Sequence, residues 1–415
     1  MRPRNLSTIA VLGTFDTKGA EHLFVAEQIR QRGHRTLLVD VGGHGESQIK
    51  ADVTREQVAE AAGIDLAALR VRNDRGAMVE AMAQAAPVML AKLAEENRIQ
   101  GVISLGGTGG TAIGTAAMRA LPLGFPKVMV STVAAGNVAP YLGVKDIVMF
   151  PSIVDVAGLN RFSRAVFTRA AAAVCALAEA NATMPKESDA KPLIVASMFG
   201  NTTQCVEHAR GLLEAAGYEV LVFHATGTGG RTMESLIESG VVAGVLDITT
   251  TEWADELVGG VLNAGPTRLE AAARCGVPAI VTPGCLDMVN FGAPDNVPAK
   301  FAGRTFYPHN PQVTLMRTTP AECAELGRIL AEKVNLSTGP VTVLLPKHAI
   351  SIISAEEKPF HDAEADAALF DGIKTYLRKD IPLLELDCAI NDTTFAEACV
   401  SALLANVERT RSRTV

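Results

Sequence analysis

The sequence predicts an α/β protein: two Rossmann-like, doubly wound parallel-sheet domains facing a cleft. Three observations carry that expectation. Short β-branched runs alternate with longer Ala/Leu/Glu-rich stretches throughout the 415 residues, the pattern of parallel strands covered by helices. The chain is 48% hydrophobic, enough for two buried cores where a single one would be unusually large. Gly, Thr or Ser clusters follow most of the β-branched runs, as expected where strands end at ligand-facing loops.

In order along the chain, strands are expected at Thr8–Leu12, Thr36–Asp40, Gly101–Leu105 and Lys127–Ser131. Between them lie helices at Ala20–Gln31, Thr54–Ala62, Arg75–Asn97 and Thr111–Ala120, with Gly33 placed as a C-cap after the first. An Ala-rich helix over Ile153–Ala182 closes an N-terminal domain of residues 1–183, and the polar stretch Met184–Lys191 reads as a linker. A C-terminal domain of residues 192–415 then restarts the alternation. Its strands are Leu193–Ser197, Val220–His224, Ala243–Asp247, Ala279–Thr282 and Val341–Leu345. Its helices are Val206–Ala216, Met233–Ser239, Arg268–Cys275 and Ala321–Lys333. The stretch Gly284–Pro320 carries Pro294, Pro298, Pro308 and Pro311 before its last residue and has no clear period, and its aromatics point to an ordered, functional loop.

Composition narrows the function classes. A formal charge of -7 gives no general attraction for nucleic acid or an anionic membrane. The seven cysteines are scattered, with no C-x-x-C pair, which argues against a disulfide framework or a zinc cluster. Met1–Thr8 lacks the apolar region of an export signal, and no apolar run approaches the ~20 residues of a membrane span. A cytoplasmic protein is expected, and low aromatic content with a long Ala-rich helix is compatible with a homo-oligomer.

The strand-end segments carry the chemistry. Gly13–Gly19 (GTFDTKG) offers N–H groups, the hydroxyls of Thr14 and Thr17, the carboxylate of Asp16 and the ammonium of Lys18 just before a helix, where a phosphate meets favourable donors and dipole. Asp40, followed by Gly42, ends the second strand where an acidic residue accepts ribose hydroxyls in dinucleotide folds. Gly106, Gly107, Thr108, Gly109, Gly110 and Thr111 form the strongest segment, since glycines let successive N–H groups converge on an anion. Ser131, Thr132 and Gly136 add hydroxyls and a glycine at the fourth strand end. Neither the Walker pattern nor G-x-G-x-x-G in dinucleotide register is present. The alternative is glycine turns that only allow tight strand-to-helix packing.

In the second domain, Gly229, Gly230 and Arg231 form a loop suited to a substrate carboxylate or phosphate. His224, Asp287, Asn290 and His309 follow strands or lie in the long loop, so one sheet edge is expected to bring them together as a catalytic centre. For each alone, a structural role is the competing reading.

The ordered series GTFDTKG, SLGGTGGT, STVAAGNV, HATGTGGR, LDITTTEWADE, PGCLDMVNFG and YPHNPQVTLMRTT spans almost the whole chain. It resembles the Tm-one-like ATP-binding domain family, two-domain proteins related to the tomato mosaic virus resistance protein. The resemblance implies a Rossmann-like N-terminal domain that binds ATP with magnesium through Thr14, Asp16, Thr17, Lys18 and Gly106–Thr111. It assigns no individual metal ligand. On this basis the expected function is ATP binding, with an unknown small anionic metabolite as a second ligand and neither nucleic acid nor membrane as a partner. Three readings follow: an ATP-dependent enzyme acting on a small carboxylate or sugar acid at the interdomain cleft, a nucleotide sensor without catalysis, and a sugar-nucleotide transferase or epimerase.

Overall fold

A computed structural model describes residues 6–43, 45–72, 74–184 and 191–414, and the chain divides into two compact units, residues 1–187 and 188–415. The expected linker therefore lies mostly outside the described residues, as does most of the N-terminal stretch expected to lack an export signal.

The first unit runs β1 (Thr8–Gly13), α1 (Phe15–Gln31), β2 (Arg35–Asp40), α2 (Arg55–Ala61), α3 (Leu66–Arg72), α4 (Arg75–Glu95), β3 (Gly101–Gly106), α5 (Thr108–Arg119), β4 (Lys127–Ser131), α6 (Ala139–Leu142), β5 (Val148–Pro151) and α7 (Arg161–Thr183). Its five strands are all parallel, in the order β2-β1-β3-β4-β5. Every residue of β3 and β4 is buried, which explains why both read as continuous apolar runs rather than alternating ones. Helices cover the two faces, one core forming around α4 and α5 and the other around α1 and α7.

Three features differ from expectation. Helix α1 starts at Phe15, so the GTFDTKG residues form its first turns, with a kink at Lys18 (φ -134°, ψ 31°). Helix α7 starts at Arg161, not Ile153, because Ile153 and Gly158 take positive φ, and Asn160 then caps the helix by accepting from the N–H groups of Phe162 and Ser163. Helix α4 passes by length and mean hydropathy as a membrane span, against expectation, yet its Met78, Met82, Leu90 and Leu93 are buried in the domain core.

The second unit runs β6 (Leu193–Met198), α8 (Thr203–Ala215), β7 (Glu219–His224), α9 (Thr228–Glu238), β8 (Val242–Thr249), α10 (Glu252–Val258), α11 (Glu270–Cys275), β9 (Ala279–Gly284), β10 (Met288–Phe291), β11 (Phe306–Asn310), β12 (Val313–Arg317), α12 (Pro320–Val334), β13 (Val341–Pro346), α13 (Ala363–Tyr376), β14 (Leu383–Leu386) and α14 (Thr393–Thr414). Its parallel sheet has the order β7-β6-β8-β9-β13-β14, repeating the first domain's order with one strand added. The stretch expected as a loop is instead a three-stranded antiparallel sheet, β10-β12-β11. Its strands are four or five residues long, and Pro308 sits on the outer strand, where its missing N–H costs no ladder bond.

Candidate functional site

In a sheet of order 2-1-3-4-5 the connections leaving the first and third strands depart toward opposite faces, and a crevice opens between them. The segments that leave β1 and β3 are GTFDTKG and GGTGGT. They line a cavity of about 500 Å³, with Thr14, Asp16, Thr17 and Lys18 on one side and Gly107, Thr108, Gly109 and Gly110 on the other. Val41, Gly43, Arg75, Met78, Val79, Ile113 and Asp155 complete the walls.

Helix α5 begins here with Gly107 as its N-cap, and no side chain caps its first N–H groups. Those donors and the helix dipole favour an anion. The glycines are not all demanded by the chain itself. A Cβ at Gly107 would meet only Thr132 Oγ1, at 3.9 Å, and one at Gly110 only the Leu105 carbonyl, at 3.5 Å. Neither has the positive φ that would require glycine. Gly106 differs, because its Cβ would lie 2.7 Å from Gly110 Cα, so that glycine serves packing.

Lys18 Nζ donates to the Val156 carbonyl in the segment after β5, leaving two of its three donors for another acceptor. Its own carbonyl accepts from His22 Nδ1 at 2.7 Å. Burial holds the His22 pKa down to about 4, so the ring is neutral, and it fills the space beside Gly13. Asp16 Oδ2 accepts from the N–H groups of Gly43 (3.0 Å) and Gly45 (3.3 Å), with Arg55 Nη1 at 3.8 Å.

Not every expected residue reaches the cavity. Asp40 is buried, and its Oδ1 accepts from Phe15 N (3.1 Å) and Gly42 N (2.8 Å). Burial raises its pKa, and Asp40 and Gly42 tie the β1 and β2 ends together rather than facing a ribose. Thr111 and Ser131 share a buried hydroxyl hydrogen bond of 2.6 Å behind the glycine loop. Thr132 and Gly136 are exposed and do not border the cavity. Conversely, Arg75 and Asp155 line it and were missed. The one signal for Arg75 is its place at the first turn of α4 behind the Asp74 N-cap. Among the described residues no three His, Cys, Asp or Glu side chains cluster as a metal site. The oxygens of Thr14, Thr17, Thr108 and Asp155 at the cavity suit a magnesium ion that arrives on phosphates and keeps water, not one held in a protein cage.

The second domain departs further from expectation. The Gly229–Arg231 loop already holds a carboxylate, the chain's own Glu252, whose Oε1 accepts from Gly227 N (2.7 Å) and Gly230 N (3.1 Å). Glu252 in turn binds Arg268 Nε at 2.7 Å, and Arg268 forks onto Asp247 with two contacts of 2.6 Å. Arg231 points elsewhere, to the Asn263 carbonyl at 3.0 Å, and a Cβ at Gly229 would collide with the His224 carbonyl. Sequence could not reveal the internal occupant, because Glu252 arrives from a different strand end.

The four residues expected to form a catalytic centre do not meet. Asp287 is buried, accepts from Ser351 Oγ at 2.7 Å, and has its pKa pushed up to about 6 by burial. Asn290 is buried beside Asp255, giving Oδ2 a 2.7 Å hydrogen bond. His224 is exposed on β7 and stacks on Phe199 at 5.3 Å, while His309 is exposed on β11. The β10–β12 insertion carries Asp287 and Asn290 inward to separate partners, so shared position after strands did not translate into shared space.

Residues 7–183 match the model of the N-terminal domain, and residues 191–407 that of the C-terminal domain, of "Uncharacterised protein family (UPF0261)". The chain is similar to a UPF0261 protein of Clostridium tetani, 46% identical over 97% of this chain and 99% of that one. A UPF0261 protein of Rhizobium meliloti is 47% identical over 96% of this chain and 98% of its own length. The ToMV resistance protein Tm-1(GCR237) of Solanum lycopersicum is 36% identical over 96% of this chain, which spans only 56% of the tomato protein. Among solved structures, Acinetobacter baumannii MurG aligns over 98% of this chain and 99% of its own at 13% identity, with a TM-score of 0.23.

Proposed function

The chain belongs to the UPF0261 family, and on that premise we propose that its N-terminal domain binds a nucleotide by its phosphates, namely ATP with magnesium. The observation that carries this reading is the head of α5, where Gly107 and Gly110 leave open space that no neighbouring atom requires, beside uncapped N–H groups and in the same cavity as Lys18 and Arg75. A cavity of about 500 Å³ is within the range of small-molecule sites. Its apolar wall of Val41, Met78, Val79 and Ile113 suits a base, and its cationic side suits phosphates. Magnesium, when bound, would neutralise phosphate charge. The chain's part is to orient and hold.

The reading stops at binding, because the residues expected to react in the second domain lie apart. Calorimetry with ATP and adenosine tests it. Gly107→Val places a side chain where phosphate must approach and should abolish ATP binding in a folded protein. Lys18→Ala should weaken ATP more than adenosine, by about 1–3 kcal/mol. An unchanged ATP affinity in folded Gly107→Val would remove the loop from the site and end this reading.

A further inference from the structure

The insertion between β9 and α12 builds a second concavity, independent of the nucleotide site. Strand pairing sets Phe306 opposite Met316 and Pro308 opposite Thr314, so these side chains share one face of the small sheet. The other face, with Tyr307, Val313 and Leu315, packs on Cys285, Met288 and Phe360. The 294–302 segment covers the first face only in part. It leaves a groove of about 350 Å³ walled by Val297, Pro298, Phe301, Phe306 and Pro308.

Thr314 is the one hydrogen-bonding side chain among the residues that line this groove. It is only 3% exposed, and its hydroxyl has no hydrogen-bond partner. Buried polar groups are nearly always paired, and an unpaired one costs free energy that a ligand oxygen would recover. Between the lining residues Ala299 and Phe301 in the chain, Lys300 holds its ammonium 4.7 Å from the centre of the Phe301 ring. Among the described residues it faces no carboxylate within ion-pair distance. Arg304, the other cation near that ring, is already committed to Glu322 at 2.6 Å. An apolar cleft with one unpaired hydroxyl and one uncommitted cation matches a particular class of molecule.

We propose that this groove binds a small hydrophobic carboxylate. The apolar body lies against the proline and phenylalanine walls, an oxygen accepts from Thr314 Oγ, and Lys300 attracts the negative charge. This site does not depend on the nucleotide reading.

The test is titration of the full chain with phenylacetate, and with uncharged phenylacetamide in parallel, followed by calorimetry. Saturable phenylacetate binding is expected at millimolar concentration or below, with phenylacetamide weaker. Thr314→Val keeps the shape, removes the unpaired hydroxyl, and should weaken phenylacetate about tenfold or more without lowering the melting temperature. Ala302→Trp should fill the groove and abolish binding, and Lys300→Gln should bring the two probes to equal affinity. ATP titration of the same variants, unchanged from the parent, keeps the two sites separate. The proposal is overturned if phenylacetate fails to bind, if Thr314→Val and Ala302→Trp both bind it as the parent does, or if phenylacetamide binds equally well to the parent. It also falls if Ala302→Trp converts a sedimenting dimer to monomer, since the groove would then be a subunit interface.

Discussion

Asp255 is a carboxyl group held in the interior of the second domain by three donors, the N–H and side-chain amide of Asn290 at 3.0 and 2.7 Å and the N–H of Leu262 at 3.3 Å. Those donors favour the charged form, but burial outweighs them and pushes the pKa up to about 7. The folded state therefore holds this proton more tightly than the unfolded chain. Its contribution to stability is complete below about pH 4 and is lost as pH rises through about 7, on the order of 1.4 kcal/mol per pH unit inside that window. Denaturant titrations between pH 4.5 and 8 check this: Asp255→Asn should show a shallower fall of stability with pH than the parent, and parallel curves would refute the assignment. Arg268 shows the opposite balance, since Asp247, Glu252 and Glu234 around it keep it charged despite complete burial.

Helices α12 and α13 approach until their backbones touch. A Cβ added at Gly372 would lie 2.6 Å from the Ala324 carbonyl, so neither helix can accept a side chain there without separating. Gly372→Ala should cost about 1–3 kcal/mol by overpacking, measured as a lower denaturant midpoint at unchanged slope. Gly211 on α8 is the control. A Cβ added there would have nothing within 4 Å, and Gly211→Ala should stabilise by about 0.5–1 kcal/mol through helix propensity alone. Equal effects at the two positions would show that contact geometry is not what distinguishes them. The same local rules made most elements legible, since β-branched runs and Ala/Leu/Glu periodicity mark β3, β4 and α12 directly. They failed for β5, β10, β11, β12 and β14, which are only four or five residues long and gain their identity from their pairing partners, and the longer helices α13 and α14 were not expected either.

Across the whole molecule, each unit has its own apolar clusters. Heating the full chain should therefore give two calorimetric transitions. ATP should move only the one that belongs to residues 1–187, by about 2.7 kcal/mol at a hundredfold excess over the dissociation constant. Phenylacetate should move only the other. A single transition shifted equally by both would mean that the units unfold as one.

The residues alone determined the doubly wound class and both glycine-rich segments that line the first cavity, because strand, turn and helix signals are local and ligand loops in such sheets follow strand ends. They also placed Lys18, Thr14, Gly107, Gly109 and Gly110 on the two connections that line that cavity. Only the tertiary structure decided which strand ends converge. It brought Arg75 and Asp155 into the first cavity, turned Asp40 inward, seated Glu252 in the loop expected to take a substrate anion, and separated His224, Asp287, Asn290 and His309. Those outcomes depend on strand order and on pairings between segments tens of residues apart. Long-range packing sets them, and no pattern within a short window encodes it.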